Sequence, residues 1–77
     1  MSRTFQDDDL LLWEAYTAAP RAGEGRGARI MFHCLSDRDR RARVAERDEE
    51  RTVVEKRIHS ATDDDLLVLL QQSEPLA

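Results

Sequence analysis

DDDLLLWEAYTAAP, residues 7–20, is the stretch on which the fold turns, because two regular structures fit it. As a helix, Asp7–Asp9 place negative charge at the amino end, where the helix dipole favours it, and Pro20 lies past the carboxyl end. As a strand, Leu11, Trp13, Ala15 and Thr17 share one face, and Leu10, Leu12, Glu14 and Tyr16 share the other. Trp, Tyr and Thr favour the strand, whereas Leu, Glu and Ala favour the helix. The opening letters DDDLL return at 63–67 within DDDLLVLLQQ, but the residues after them diverge at once. Five shared residues do not make a structural repeat.

The residues downstream decide between the readings. RAGEGRGAR, residues 21–29, carries Gly23, Gly25 and Gly27 and reads as a loop. RIMFHCLS follows, with Ile30, Phe32 and Cys34 on one side and Met31, His33 and Leu35 on the other, which is strand alternation. That strand needs a partner, and residues 10–18 are the nearest one across the loop. The sequence therefore predicts a long-loop hairpin. Ser36–Asp37 signals a turn, and a third antiparallel strand is expected around Arg41–Glu46, ending near Asp48.

Two helices are expected after the strands. In DEERTVVEKRIHSA, residues 48–61, Asp48 is a candidate cap, and Val53, Val54, Arg57, Ile58 and Ala61 fall on one helical face. In TDDDLLVLLQQSEP, residues 62–75, Thr62 is a natural N-cap with Asp65 three residues on, and Pro75 closes the segment. The expected fold is α+β, a three-stranded antiparallel sheet followed by two C-terminal helices. A small all-α bundle is the alternative if residues 10–18 and 41–47 are helical. One domain is expected over 1–77, with loose ends at 1–8 and 73–77.

Composition narrows the class. The chain has 77 residues, 40% of them apolar and 36% charged, so its apolar residues must be well segregated to build a core. A domain of this size has a net stability of only a few kcal/mol. Cys34 is the single cysteine and has no intramolecular disulfide partner, which fits a reducing compartment. The start MSRTFQDDD lacks the apolar core of a signal peptide, and no apolar run approaches the ~20 residues that span a bilayer. A cytoplasmic location and no membrane partner are the expectations. Residues 1–20 carry a balance of −3, residues 21–47 of +4 and residues 48–77 of −5.

The predicted sheet has apolar residues on both faces. Leu11, Trp13, Ile30, Phe32 and Val44 suit one face, and Leu10, Leu12, Tyr16, Met31 and Leu35 the other. Two helices cover one face of so small a sheet. An antiparallel sheet facing water shows clean apolar–polar alternation, which is not the pattern here. Either the termini, with Phe5 and Leu76, fold over the second face, or a protein does, whether a second copy in a homodimer or a larger protein. The contact residues expected on that account are Leu12, Tyr16, Met31 and Leu35, with Arg41 and Arg43 at the rim.

The remaining chemistry is sparse. Cys34 as a nucleophile needs a base within hydrogen-bond reach, and His33, adjacent on a strand, points the other way. A buried structural thiol is the simpler role. His33, Cys34 and His59 have no metal-ligand spacing, and the two Asp triplets lack the glycine and alternating acids of a calcium loop. GEGRG, residues 23–27, is not a dinucleotide fingerprint. Neither a cofactor nor a metal is expected, nor a catalytic activity. Arg38, Arg40, Arg41, Arg43 and Arg47 make nucleic-acid binding through residues 38–47 the alternative function, against interleaved Asp37, Asp39 and Glu46 and no aromatic residue among them.

Overall fold

The computed structural model describes residues 2–20 and 27–76, which form five strands and two helices. In chain order these are β1 (Ser2–Gln6), β2 (Leu12–Ala18), β3 (Ala28–Cys34), β4 (Arg43–Arg47), α1 (Arg51–Ser60), α2 (Asp63–Gln72) and β5 (Glu74–Pro75). The strands make one antiparallel sheet in the order β1-β2-β3-β4-β5. The chain is thus α+β with its helices after the main strands, and the all-α alternative does not hold. The sheet has five strands rather than three. SRTFQ at residues 2–6 pairs with residues 12–16 of β2, and Glu74–Pro75 pairs with Val44 and Arg43. The glycine-rich stretch 21–26 lies outside the described residues.

The strand reading of residues 10–18 is right from Leu12 onward. Leu10 and Leu11 instead complete the turn between β1 and β2. Asp7 accepts the N–H groups of Asp9 (2.9 Å) and Leu11 (3.0 Å) on Oδ1, and the indole N–H of Trp13 (2.8 Å) on Oδ2. The Asp7 N–H donates to the Leu11 carbonyl across the turn. Leu10 takes φ 65°, the left-handed region, with its side chain 74% exposed. The next hairpin ends at Gly27, with φ 95°, where a β-carbon would lie 2.3 Å from the Arg47 carbonyl oxygen. Only glycine suits that position.

Both helices lie on one face of the sheet, α1 against β1, β2 and β3 and α2 against β1 and β4. The core between the layers takes Phe5, Trp13, Ala15, Ala28, Ile30, Phe32, Cys34 and Ala45 from the strands, and Val54, Ile58, Leu66 and Leu70 from the helices. Phe5 and Phe32 meet edge to face at 6.2 Å across β2, where Ala15 is small enough to leave them room. Val44 does not belong to this face as expected. Register pairs it with Met31 and pairs Ala45 with Ile30, so Ala45 turns to the helices and Val44 away from them.

Helix α1 begins two residues later than expected, with Glu50 rather than Asp48 at its N-cap and no side-chain capping bond. Val54 and Ile58, four residues apart, anchor it, while Val53 and Arg57 lie outside the contact. Arg57 holds Glu49 through paired contacts and keeps that carboxylate below its ordinary pKa, chiefly by hydrogen bonding. Helix α2 has the expected capping box: the Asp65 N–H donates to Thr62 Oγ1 (3.1 Å), and the Thr62 N–H to Asp65 Oδ2 (3.3 Å). Its end is Gln72, with Ser73 as C-cap, and Pro75 is already in β5. Leu66 and Leu70 face the core, Leu67 and Leu69 flank them, and Val68 looks outward.

Candidate interaction surface

The helices cover one face of the sheet, and the strand pleat assigns the opposite face residue by residue. Register places Ser2, Tyr16, Met31, Val44 and Glu74 in one row across the five strands. On one side of it lie Thr4, Glu14 and His33, then Gln6 and Leu12; on the other lie Ala18, Arg29 and Glu46. Leu35 continues the alternation of Met31 and His33 beyond β3, and its N–H donates to the Leu12 carbonyl at 2.7 Å. Leu12 in turn donates its N–H to Ser36 Oγ at 2.8 Å, which fixes the chain as it leaves the sheet. No described helix lies on this face.

Four of the six contact residues expected from the sequence come together here: Leu12, Tyr16, Met31 and Leu35. They are not equally available. Met31 is only 7% exposed, enclosed between Tyr16 and Val44 on the neighbouring strands, so it is part of the packing of the sheet itself. Leu12 (37%) and Leu35 (45%) are the accessible apolar side chains, at the end of the face where β2 begins and β3 ends. Tyr16 is half-buried and stacks on His33, the rings 5.6 Å apart and 6° from parallel. The Tyr16 hydroxyl and His33 Nε2 share a hydrogen bond at 2.9 Å.

Arg41 and Arg43 are not at this rim. Arg43 shares the helix-facing side with Ala45, and its guanidinium donates to the Ser73 hydroxyl (2.9 Å) and carbonyl at the end of α2. Arg41 lines a hollow of about 500 Å³ on the helix side, beside Asp7, Asp8, Asp9, Leu67 and Gln71. The arginines that do reach the open face are Arg38 and Arg40. With Glu14, Tyr16, His33, Cys34 and Leu35 they line a shallow hollow of about 530 Å³. Arg40 approaches Asp37 at 3.9 Å, and the Asp37 carboxylate also accepts the Asp39 N–H at 3.1 Å. Glu14 accepts the Ser2 hydroxyl at 3.0 Å.

The arginine segment is therefore divided. Arg38 lies by the open face, Arg41 and Arg43 lie on the helix side, Arg40 borders both hollows, and Arg47 donates to the Glu46 carbonyl.

Cys34 is buried on the helix side opposite Trp13, while the His33 ring stacks on the other face, as strand alternation requires. His59 is exposed on α1. Among the described residues no cluster of three or more His, Cys, Asp or Glu side chains is placed to hold a metal ion. No buried side-chain nitrogen or oxygen there lacks a hydrogen-bond partner. No described helix is long and apolar enough to cross a membrane.

Sequence reading placed Glu14 and His33 on this face without counting them among its contact residues, and it missed Arg38 and Arg40. The signal for two of them was present: Glu14 lies midway between Leu12 and Tyr16, and His33 midway between Met31 and Leu35, in strict alternation. The side on which Arg38 and Arg40 fall depends on the path of the 36–42 turn, which alternation does not encode. Comparison of the chain with protein-family models, with curated proteins and with solved structures finds no match.

Proposed function

We propose that this chain is a non-catalytic interaction module of the cytoplasm, and that it works by presenting the Leu12–Tyr16–Leu35 end of its open sheet face to another protein. One observation carries the reading. The helices supply a complete core on one side of the sheet, and the other side leaves Leu12 and Leu35 in water around a fixed Tyr16–His33 pair. Burying each of those leucines contributes about 1–2 kcal/mol. The stacked aromatic pair loses little freedom on contact, because its rotamers are already set. Met31 and Val44 support this surface from within the sheet.

A photoreactive phenylalanine analogue placed at position 12 or 35 in cells tests the reading. The expected outcome is one discrete protein adduct from each position and none from position 68, where Val68 is more exposed than either leucine. Absence of an adduct at 12 and 35, or equal yields from 68, overturns it. The double variant Leu12→Ser, Leu35→Ser is expected to abolish association with helix content unchanged. Loss of the fold instead places those leucines in the core of the chain, and the reading fails.

A further inference from the structure

We propose that the outer edge of β1 binds an extended segment of another protein, which joins the five-stranded sheet as a further strand. Register decides which backbone groups that edge offers. The Asp7 N–H donates to the carbonyl of Leu11 directly opposite it. Arg3, Phe5 and Asp7 therefore turn their N–H and C=O groups to β2, and Ser2, Thr4 and Gln6 turn theirs away. Among the described residues no strand pairs on that side, and those outward groups bond to none of them. Proteins blunt such an edge by keeping it short or by placing proline or free charge on it. The opposite edge is blunted in this way, since β5 has two residues and one is Pro75. Strand β1 has five residues and no proline. Its one charge, on Arg3, is tied to the carbonyls of Ile58, His59 and Ala61.

The surroundings of the edge specify the occupant. A hollow of about 460 Å³ lies between Ser2 and Arg3 on β1 and Thr52, Lys56, Ile58 and His59 on α1, and its surface is mostly apolar. A strand laid along β1 turns alternate side chains to the helix side, where an aliphatic one fills this hollow. Glu55, the acid that borders it, accepts the Thr17 hydroxyl at 3.3 Å and so turns to β2. Lys56 is exposed and makes no ion pair among the described residues, so an acidic side chain of the occupant meets it at the rim. A second copy does not meet this description. The register that pairs all five residues of two β1 strands centres on Thr4 and sets Arg3 of one copy against Phe5 of the other. Phe5 is 2% exposed and belongs to its own core, so it cannot fill the hollow. Strand β2 separates this edge from Leu35, and binding here does not require the open-face surface proposed above.

Selection of a random linear peptide library on the full chain, followed by binding and hydrogen-exchange measurements with an enriched peptide, tests this. The expected peptides alternate β-branched residues with an aliphatic and an acidic side chain, and saturation with one slows exchange of the Thr4 and Gln6 N–H groups. Thr4→Pro removes an outward donor that the sheet itself does not use, so the variant is expected to keep its fold and to bind about tenfold more weakly. Lys56→Glu, an exposed change on α1, is expected to weaken the same peptide about tenfold. Failure of the library to enrich overturns the inference, as does full affinity of the enriched peptide for either variant. Unfolding of Thr4→Pro contradicts the outward direction of that N–H and overturns it as well. Protection of Thr4 that grows with protein concentration in the absence of peptide makes the occupant a second copy, which also removes the proposal.

Discussion

Asp7 binds the first hairpin with both carboxylate oxygens, and its titration reports that role. Partial desolvation opposes the charged form, but hydrogen bonds from the Trp13 indole and the Leu11 and Asp9 N–H groups, with the nearby charge of Arg40, outweigh it and lower the pKa from 3.8. A carboxylate with a depressed folded pKa contributes stability that is present above its unfolded value and is lost as pH falls through the folded one. Asp7→Asn turns an amide donor towards N–H groups that need an acceptor. The variant is expected to unfold at lower urea than wild type at pH 7, with the gap closing as the pH falls through the lowered pKa of folded Asp7 and both side chains become neutral. A gap that persists in acid assigns the effect to shape rather than charge. Leu10, three residues on, holds φ 65° with no side-chain burial to offset the strain. The left-handed region disfavours a residue with a β-carbon by ~1–2 kcal/mol, and glycine restores part of that in unfolded-state entropy. Leu10→Gly is therefore expected to stabilise the chain by about 0.5 kcal/mol in urea unfolding, and a destabilised variant contradicts the strain.

At the scale of elements, DDDLL shows how little five letters determine. At 63–67 Thr62 precedes it, and the threonine hydroxyl with Asp65 starts a helix; at 7–11 the preceding residue is Gln6, already paired in β1, and Asp7 folds the same letters into a turn. Thr62→Ala removes one side of the capping box and is expected to lower stability by about 1 kcal/mol, with helix signal lost first as temperature rises. Strands β2 and β3 and both helices were legible because each carries its own pattern. Strand β1 was not, since SRTFQ has one apolar residue, and its reason to be a strand lies elsewhere: Phe5 beside Trp13 and against Phe32. Arg3 completes the attachment. Its guanidinium reaches the carbonyl oxygens of Ile58, His59 and Ala61 at 2.8–3.1 Å, the open end of α1, and Asp63 at 3.3 Å at the start of α2. Arg3→Ala leaves those carbonyls to water and frees the edge of the sheet. A loss of about 1–2 kcal/mol is expected in urea unfolding, with Arg3→Lys recovering only part, because an ammonium group cannot span the same carbonyls.

The whole molecule is a sheet with one face committed to its own core and one only partly closed, and the sequence disclosed the excess of apolar side chains but not which of them stay in water. Alternation put Leu12, Tyr16, Met31 and Leu35 on one face correctly. It could not show that Met31 is enclosed by Tyr16 and Val44, because that follows from the β3–β4 register, and the register moved Val44 across the sheet from its expected place. The rim arginines were misplaced for a related reason: Arg43 turns to Ser73, which belongs to a strand–helix junction 30 residues away. The two faces therefore separate stability from association. Phe32→Ala removes a fully buried ring from the centre of the core, a loss of about 3–5 kcal/mol, which is comparable to the whole stability of so small a domain. Leu35→Ser, on the other face and 45% exposed, is expected to change the free energy of unfolding by no more than about 0.5 kcal/mol. Urea unfolding at a concentration where the chain is monomeric measures both. A Leu35→Ser loss near that of Phe32→Ala means that the open face is a second core, closed by the chain itself, and association then needs a different surface. A small loss leaves Leu35 free to be buried by contact, as the interaction surface requires.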